Sequence, residues 1–384
     1  MMMRNLFMLP LLIVFLSCSS SDGPSGVIVG GPSDGDGNGG GGTGGGDTNS
    51  ITYTPTASLK DMADFPVGTI VDDYKLTGSS YADFRTILNA EFSSMTAENQ
   101  MKMASMFISP DTYNFTHGDA IVSYAKAHGM RVHGHALIWH QSIPSWLQNY
   151  SGTDEEFSGQ VERYIKATVA HFATVKDDNG NSVVSSWDVV NEAFTSDANN
   201  AIFRQRIGSD YVAKCFQWAR EADPDVKLFY NDYNLRSDAA KVSQVVNMVN
   251  DFKANNIPID GIGMQMHVDY LEPDINTIST NLNTIVSTGL LVHFSEMDMT
   301  VNKDKALSEL TYERALAQQN RYKEIVALYN AIPSAQQYGI TLWGLRDPDS
   351  WLINFYNNSN EWPLLFDADY NYKIAHKGFL EGLQ

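Results

Sequence analysis

The sequence predicts an α/β chain folded as a (β/α)8 TIM barrel with a single catalytic domain, and three observations lead there. Eight short β-rich runs alternate with helical stretches, the pattern of a parallel sheet. Roughly 330 residues follow the N-terminal segment, within the range of such a barrel carrying insertions. Polar side chains gather where each run stops, and in a closed barrel those ends converge on one mouth. An open doubly wound sheet fits less well, because no glycine-rich phosphate turn follows the first run.

The N-terminal segment stands apart. Residues 1–18 read as a leader: a weakly basic start at Met1 to Arg4, then an apolar run from Leu6 to Leu16. That run is too short to span a bilayer, which takes roughly 20 residues. It ends in Leu16-Ser17-Cys18, which resembles a bacterial lipobox with Cys18 as the acylated residue. An ordinary signal peptide with an incidental cysteine is the alternative. Residues 19–50 form a Gly-rich tether that has nothing to bury, and residues 51–384 form the barrel domain. The expectation is a lipid anchor in a bacterial outer membrane, at the cell surface or on its periplasmic face.

The strand-like runs are Val67 to Val71, Phe92 to Glu98, Met130 to Trp139, Ser186 to Glu192, Lys227 to Asn231, Gly261 to His267, Leu291 to Glu296 and Tyr338 to Trp343. Helical stretches between them include Phe157 to Phe172, Tyr211 to Glu221, Ala239 to Ala254 and Thr311 to Tyr329. Hydrophobic residues make up 43% of the 384, which is enough for a large core and excludes disorder throughout. A net charge of −19 argues against nucleic acid or an anionic membrane as a partner for the surface. The two cysteines, Cys18 and Cys215, make no disulfide framework, and Cys215 in an apolar-periodic stretch reads as a buried thiol.

The strand ends carry the chemistry. They bring Glu98, Asn99 and Lys102; His133, His135, Trp139 and His140; Asn191 and Glu192; Asn231 to Asn234; Gln265 and His267; Glu296 and Asp298; and Trp343, Arg346 and Trp351. Glu192 and Glu296 each follow an apolar run, a costly place for charge unless function needs it. Their strands lie three steps apart around an eight-strand ring, so the two carboxylates face each other. Paired carboxylates in a Trp-lined groove meet the requirement for glycoside hydrolysis.

Seven ordered motifs then resemble one family. They are Glu91 to Lys102, Gly134 to His140, Trp187 to Ala193, Tyr230 to Asn234, Gly261 to His267, Ser295 to Asp298, and Trp343 to Trp351. From about Ala63 to Leu383 the chain resembles glycoside hydrolase family 10, the endo-β-1,4-xylanases. It departs from that family's usual pattern at His133, Ala136 and Met297, positions of packing rather than of reacting groups. The resemblance implies retaining hydrolysis of xylan and xylo-oligosaccharides by a monomer, with no cofactor and no metal. Glu192 is then the acid/base and Glu296 the nucleophile, supported by His267, Asp298 and Asn191. Glu98, Asn99 and Lys102 serve the non-reducing side. His135, Trp139 and Gln265 line the cleavage subsite, with Trp343 and Trp351 as its apolar wall. Tyr233 and Arg346 fall on the leaving-group side.

Three rival readings stand beside this one. The first is a metal-dependent hydrolase built on His133 and His135, which share a strand face. The second is a non-catalytic glycan-binding lipoprotein. The third is the same chemistry on cellulose or mannan.

Overall fold

Eight strands close into a parallel ring. They are β1 (Val67–Val71), β2 (Ser94–Ala97), β3 (Arg131–Gly134), β4 (Val184–Asn191), β5 (Lys227–Asp232), β6 (Gly261–Asp269), β7 (Leu291–Thr300) and β8 (Gln337–Leu342). Each pairs with the next, and β8 returns to β1, where Val67 pairs with Ile340. This computed structural model describes residues 50–195, 197 and 201–384. The expected leader, Cys18 and the tether up to residue 49 lie outside the described residues. Among the described residues no helix is long and apolar enough to cross a membrane.

The strands are covered on both faces, so they read as apolar runs rather than alternating ones. All five residues of β1 are buried. Several of the helices outside start on side-chain caps. Thr153 and Glu156 form a reciprocal capping box at the start of Asp154–Ala173. Asp238 accepts from Ala240 N and Lys241 N to open Ala239–Ala254. Thr311 does the same for Tyr312–Asn330 through Arg314 N. Cys215 is buried within Tyr211–Ala222, as the periodicity of that stretch implies.

Two strands depart most from the sequence expectation, both at the mouth. β3 stops at Gly134 instead of running to Trp139. The chain then passes through a cis peptide between His135 and Ala136, and Ile138–Trp139 pairs again with Val190 and Asn191 of β4. β7 runs through Glu296 to Thr300 instead of ending there. Its pairing with β6 shifts register between Ser295 and Asp298, and its pairing with β8 shifts between Phe294 and Met297. A bulge of this kind re-aims a side chain without ending the strand.

Below the mouth the barrel interior holds a sealed polar layer. His133 Nδ1 lies 2.6 Å from Ser186 Oγ, and His293 Nε2 lies 2.8 Å from Thr341 Oγ1. Arg131 spreads over the Tyr338 ring at 3.9 Å and donates to the Tyr338 carbonyl at 2.8 Å. Met297 and Ala136 are buried, so those two family departures fall in packing.

Candidate active site

Glu192 and Glu296 both sit in left-handed backbone, at φ 60° and 55°. Non-glycine residues rarely hold this conformation, and its cost is met where the surroundings fix it. Glu192 N donates to the Asn231 carbonyl at 2.9 Å, which pins the turn out of β4. Glu296 takes its turn at the β7 bulge. Both carboxylates reach a cavity of about 890 Å³ at the barrel mouth.

The direct partners of Glu192 are neutral donors. Trp139 Nε1 donates to Oε2 at 2.8 Å, while Gln265 Nε2 and Asn191 Nδ2 donate to Oε1 at 3.0 and 3.2 Å. Glu296 is held by a different set. His267 Nε2 lies 3.0 Å from Oε2, and Asn231 Nδ2 donates to Oε1 at 2.8 Å. Behind it, His267 Nδ1 meets Asp298 Oδ1 at 2.9 Å, and Trp351 Nε1 donates to Asp298 Oδ2 at 2.7 Å. Burial works against the charged imidazole, but Asp298 and then Glu296 outweigh it, and the His267 pKa is pushed up to about 10. Burial likewise works against ionised Glu296. The His267 hydrogen bond, the charge of His135 and the Asn231 donor prevail, so its carboxyl is held below the usual range.

A chain of amides joins the two glutamates. Gln265 Nε2 donates to both Glu192 Oε1 and Asn191 Oδ1, and Asn231 Nδ2 donates to both Asn191 Oδ1 and Glu296 Oε1. Ser295 Oγ donates to Asn231 Oδ1 at 2.5 Å and fixes that amide's orientation. Gly263 makes room for it, since a Cβ there would overlap Asn231 Oδ1.

The cavity wall collects Glu98, Lys102, His135, Trp139, Asn191, Tyr233, Gln265, His267, Asp298, Trp343 and Trp351, all expected from the sequence. Lys102 Nζ lies 5.0 Å over the Trp139 ring. Burial lowers the Lys102 pKa against the opposing pull of Glu296, Glu98 and Glu192. Burial raises that of Glu98, helped by Asp72 and opposed by Lys75 and Lys102. Trp343 meets the His135 ring edge-on at 5.4 Å, and Trp351 meets that of His267 at 5.1 Å.

Two expected residues are placed elsewhere. Asn99 is exposed and does not line the cavity; its Oδ1 accepts from Lys102 Nζ at 3.2 Å, so it steadies the lysine. Arg346 also stays outside the wall. Its guanidinium is engaged by Asp349 at 2.9 Å and by the Ala368 carbonyl at 2.9 Å, and it covers the Tyr370 ring. The nearby carboxylate and carbonyl take its donors before a cleft ligand can.

Asn231 and Asp188 carry more of the site than their sequence context suggested. Asp188 lies 2.8 Å from His135 Nδ1 and 3.0 Å from His133 Nε2, so the imidazole of β3 and the one just past its end turn to one buried carboxylate rather than to an open ligand position. Burial opposes the ionised form of Asp188, yet His133 and His135 hold its pKa well below the usual range. A lone acid inside Trp187-Asp188-Val189-Val190 was the available signal, since buried Asp demands a partner.

The sequence pattern of Glycosyl hydrolase family 10 matches residues 58–382. Endo-beta-1,4-xylanase Xyn10C of Cellvibrio japonicus is 39% identical over 355 residues, covering 85% of this chain and 57% of that protein. A structure of a variant of xylanase10C from the same organism, in complex with xylopentaose, superposes with a TM-score of 0.79 at 37% identity. The match covers 86% of this chain and 70% of that one. Exoglucanase XynX of Acetivibrio thermocellus is 33% identical over 323 residues, 81% of this chain and 28% of that protein. The chain thus spans little more than half the length of Xyn10C.

Proposed function

Because the chain belongs to glycosyl hydrolase family 10, we propose that it is a retaining endo-β-1,4-xylanase, cutting internal β-1,4-xylosidic bonds through a covalent glycosyl-enzyme. The observation that carries this reading is the unequal holding of two carboxylates across one cleft. Glu296 faces the His267 imidazolium and stays ionised for attack on the anomeric carbon. Glu192 is met directly by uncharged donors alone, and in this reading it protonates the departing oxygen. Glycosylation of Glu296 removes a negative charge facing Glu192, which then serves as the base that activates water. Asn191, tied to both carboxylates through the amide chain, is placed to meet a sugar 2-OH. Trp343 and Trp351 offer indole faces to the C–H face of a pyranose.

The test is a product profile on xylan, mannan and cellulose, read by chromatography. Short xylo-oligosaccharides appearing early as a mixture fit the reading. Release of xylose alone from chain ends would end the endo assignment. The exoglucanase relative supports a second reading, hydrolysis of a β-1,4-glucan. Faster release of sugars from cellulose than from xylan favours it.

We further propose that Cys18 is lipidated and tethers the enzyme, as a monomer, to a bacterial outer membrane. Leu16-Ser17-Cys18 and the glycine-rich stretch after it support this. Radiolabelled palmitate should enter the wild type and be absent from Cys18→Ala; equal labelling of both contradicts it.

A further inference from the structure

The loop after β5 carries Arg236 into the wall of the same cavity, beside Tyr233 and Asn234. Its guanidinium is poorly matched there. Nη1 donates to Asn234 Oδ1 at 3.4 Å, a long bond, and Nε is buried with no partner. Two carboxylates of the same wall are committed to other groups. Asp298 gives one oxygen to His267 and the other to Trp351. Asp269 holds Lys303 at 2.8 Å. A guanidinium keeps its charge in a protein and presents a planar fork of donors. Leaving such donors buried and unmatched is expensive, and the group that matches them best is a carboxylate taken in bidentate fashion.

A second observation indicates what carries that carboxylate. Phe355 also lines the cavity and is 65% exposed. Its ring packs on Trp351 at 4.9 Å and on Tyr356 at 5.0 Å, and Tyr356 in turn lies close enough to Arg236 to act on its charge. An exposed aromatic face suits the C–H face of a sugar ring. A sugar face and an unmatched cation in one wall fit an acidic sugar. The xylan backbone itself is neutral, so the acid must hang from it as a branch.

We propose that Arg236 and Phe355 form a subsite, on the Tyr233 side of the cleft, for a uronic-acid branch of the xylan backbone. This rests on the reading of the chain as a xylan hydrolase. Arg236 is a specificity-determining residue in this subsite, acting through the branch.

The experiment compares one glucuronoxylan in two forms, native and with its uronic carboxyls reduced to alcohols. The two forms share branch shape and differ in charge. At low salt the wild type should show a kcat/KM about tenfold higher on the acidic form, the size expected for one charged hydrogen-bonded contact. Arg236→Met should bring the ratio of the two substrates close to one, and Arg236→Lys should keep an intermediate ratio because it retains charge without the fork. Raising the salt should shrink the wild-type ratio. Each ratio is internal to one variant, so a loss of folded protein does not move it. Equal ratios in the wild type and Arg236→Met overturn the subsite, as does a wild type indifferent to carboxyl reduction. Failure of the underlying reading looks different: the wild type then leaves unbranched xylan uncut, and the subsite falls with it.

Discussion

The surroundings of Glu192 and of Glu296 are built alike in backbone and differently in charge. Both glutamates take left-handed φ, Glu192 just past the end of β4 and Glu296 at the bulge within β7, and both accept hydrogen bonds from an amide side chain. Around Glu192 the other direct donors are the neutral Trp139 and Asn191. Around Glu296 there is an imidazolium, itself held by Asp298 and, through Asp298, by Trp351. In the proposed reaction the same residue type takes two roles because its neighbours differ. The proposed acid/base is met directly by neutral donors alone. A group that must remain a nucleophile sits against a fixed positive charge.

The largest effect expected from this difference is that of Glu296→Ala. It deletes the nucleophile, and kcat/KM should fall by roughly five orders of magnitude on every substrate, activated or not. Glu192→Ala should be selective. A nitrophenyl leaving group needs no proton, so the glycosyl-enzyme should still form and then accumulate, visible as an added mass in the intact protein. Equal losses for Glu192→Ala on activated and unactivated substrates would erase the distinction between the two sites.

Asp298→Asn sharpens the comparison at the next level. It removes the charge that most strongly raises His267, and kcat/KM at neutral pH should fall by about a hundredfold. By NMR the His267 imidazole should titrate at about pH 10 in the wild type and well below that in Asp298→Asn. The folded value lies above the unfolded one of about 6.5. The interaction thus stabilises the fold fully below about pH 6.5 and is lost as pH rises through about 10. A wild-type imidazole titrating at its ordinary value would mean that Glu296 faces no fixed charge. The smallest effect belongs to Trp139→Phe, which takes one neutral donor from Glu192 and should cost about tenfold in kcat on unactivated substrate. An effect as large as that of Asp298→Asn would show that the Glu192 side is no more adaptable than the other.

The sequence revealed these two sites to different depths. The barrel strands were readable because strands covered on both faces leave continuous apolar runs, and Val67–Val71 falls where its run predicts. Ala239–Ala254 was readable from its helical period, and the structure adds the Asp238 cap. Ile275–Val286 escaped, since its many Thr, Asn and Ile residues are poor helix formers; the Asp274 cap and packing of its apolar face hold it. Glu296 was visible as a carboxylate closing an apolar run, but the continuation of β7 to Thr300 was not, because a bulge leaves no mark in composition. His267 and Asp298 were expected to support Glu296, and the structure joins the two at 2.9 Å. Asn231 was one of four polar residues in a row, and its selection depends on the Gly263 gap across the neighbouring strand, a contact between residues far apart in sequence. Arg346 was misplaced for a related reason: Asp349 and Ala368 claim it, and only Asp349 is near in sequence.

Assignment of Glu296 as the nucleophile and Glu192 as the proton carrier is decided by the anomeric configuration of azide adducts. Azide attacks without deprotonation. In Glu192→Ala it should intercept the glycosyl-enzyme on Glu296 and give the β-glycosyl azide from an activated β-xyloside. In Glu296→Ala it should enter the vacated face and give the α-product. Polarimetry or NMR distinguishes the two. A β-adduct from Glu192→Ala and an α-adduct from Glu296→Ala are the predicted result. Swapped configurations would reverse the two roles, and inverted stereochemistry in wild-type hydrolysis would contradict the covalent mechanism itself.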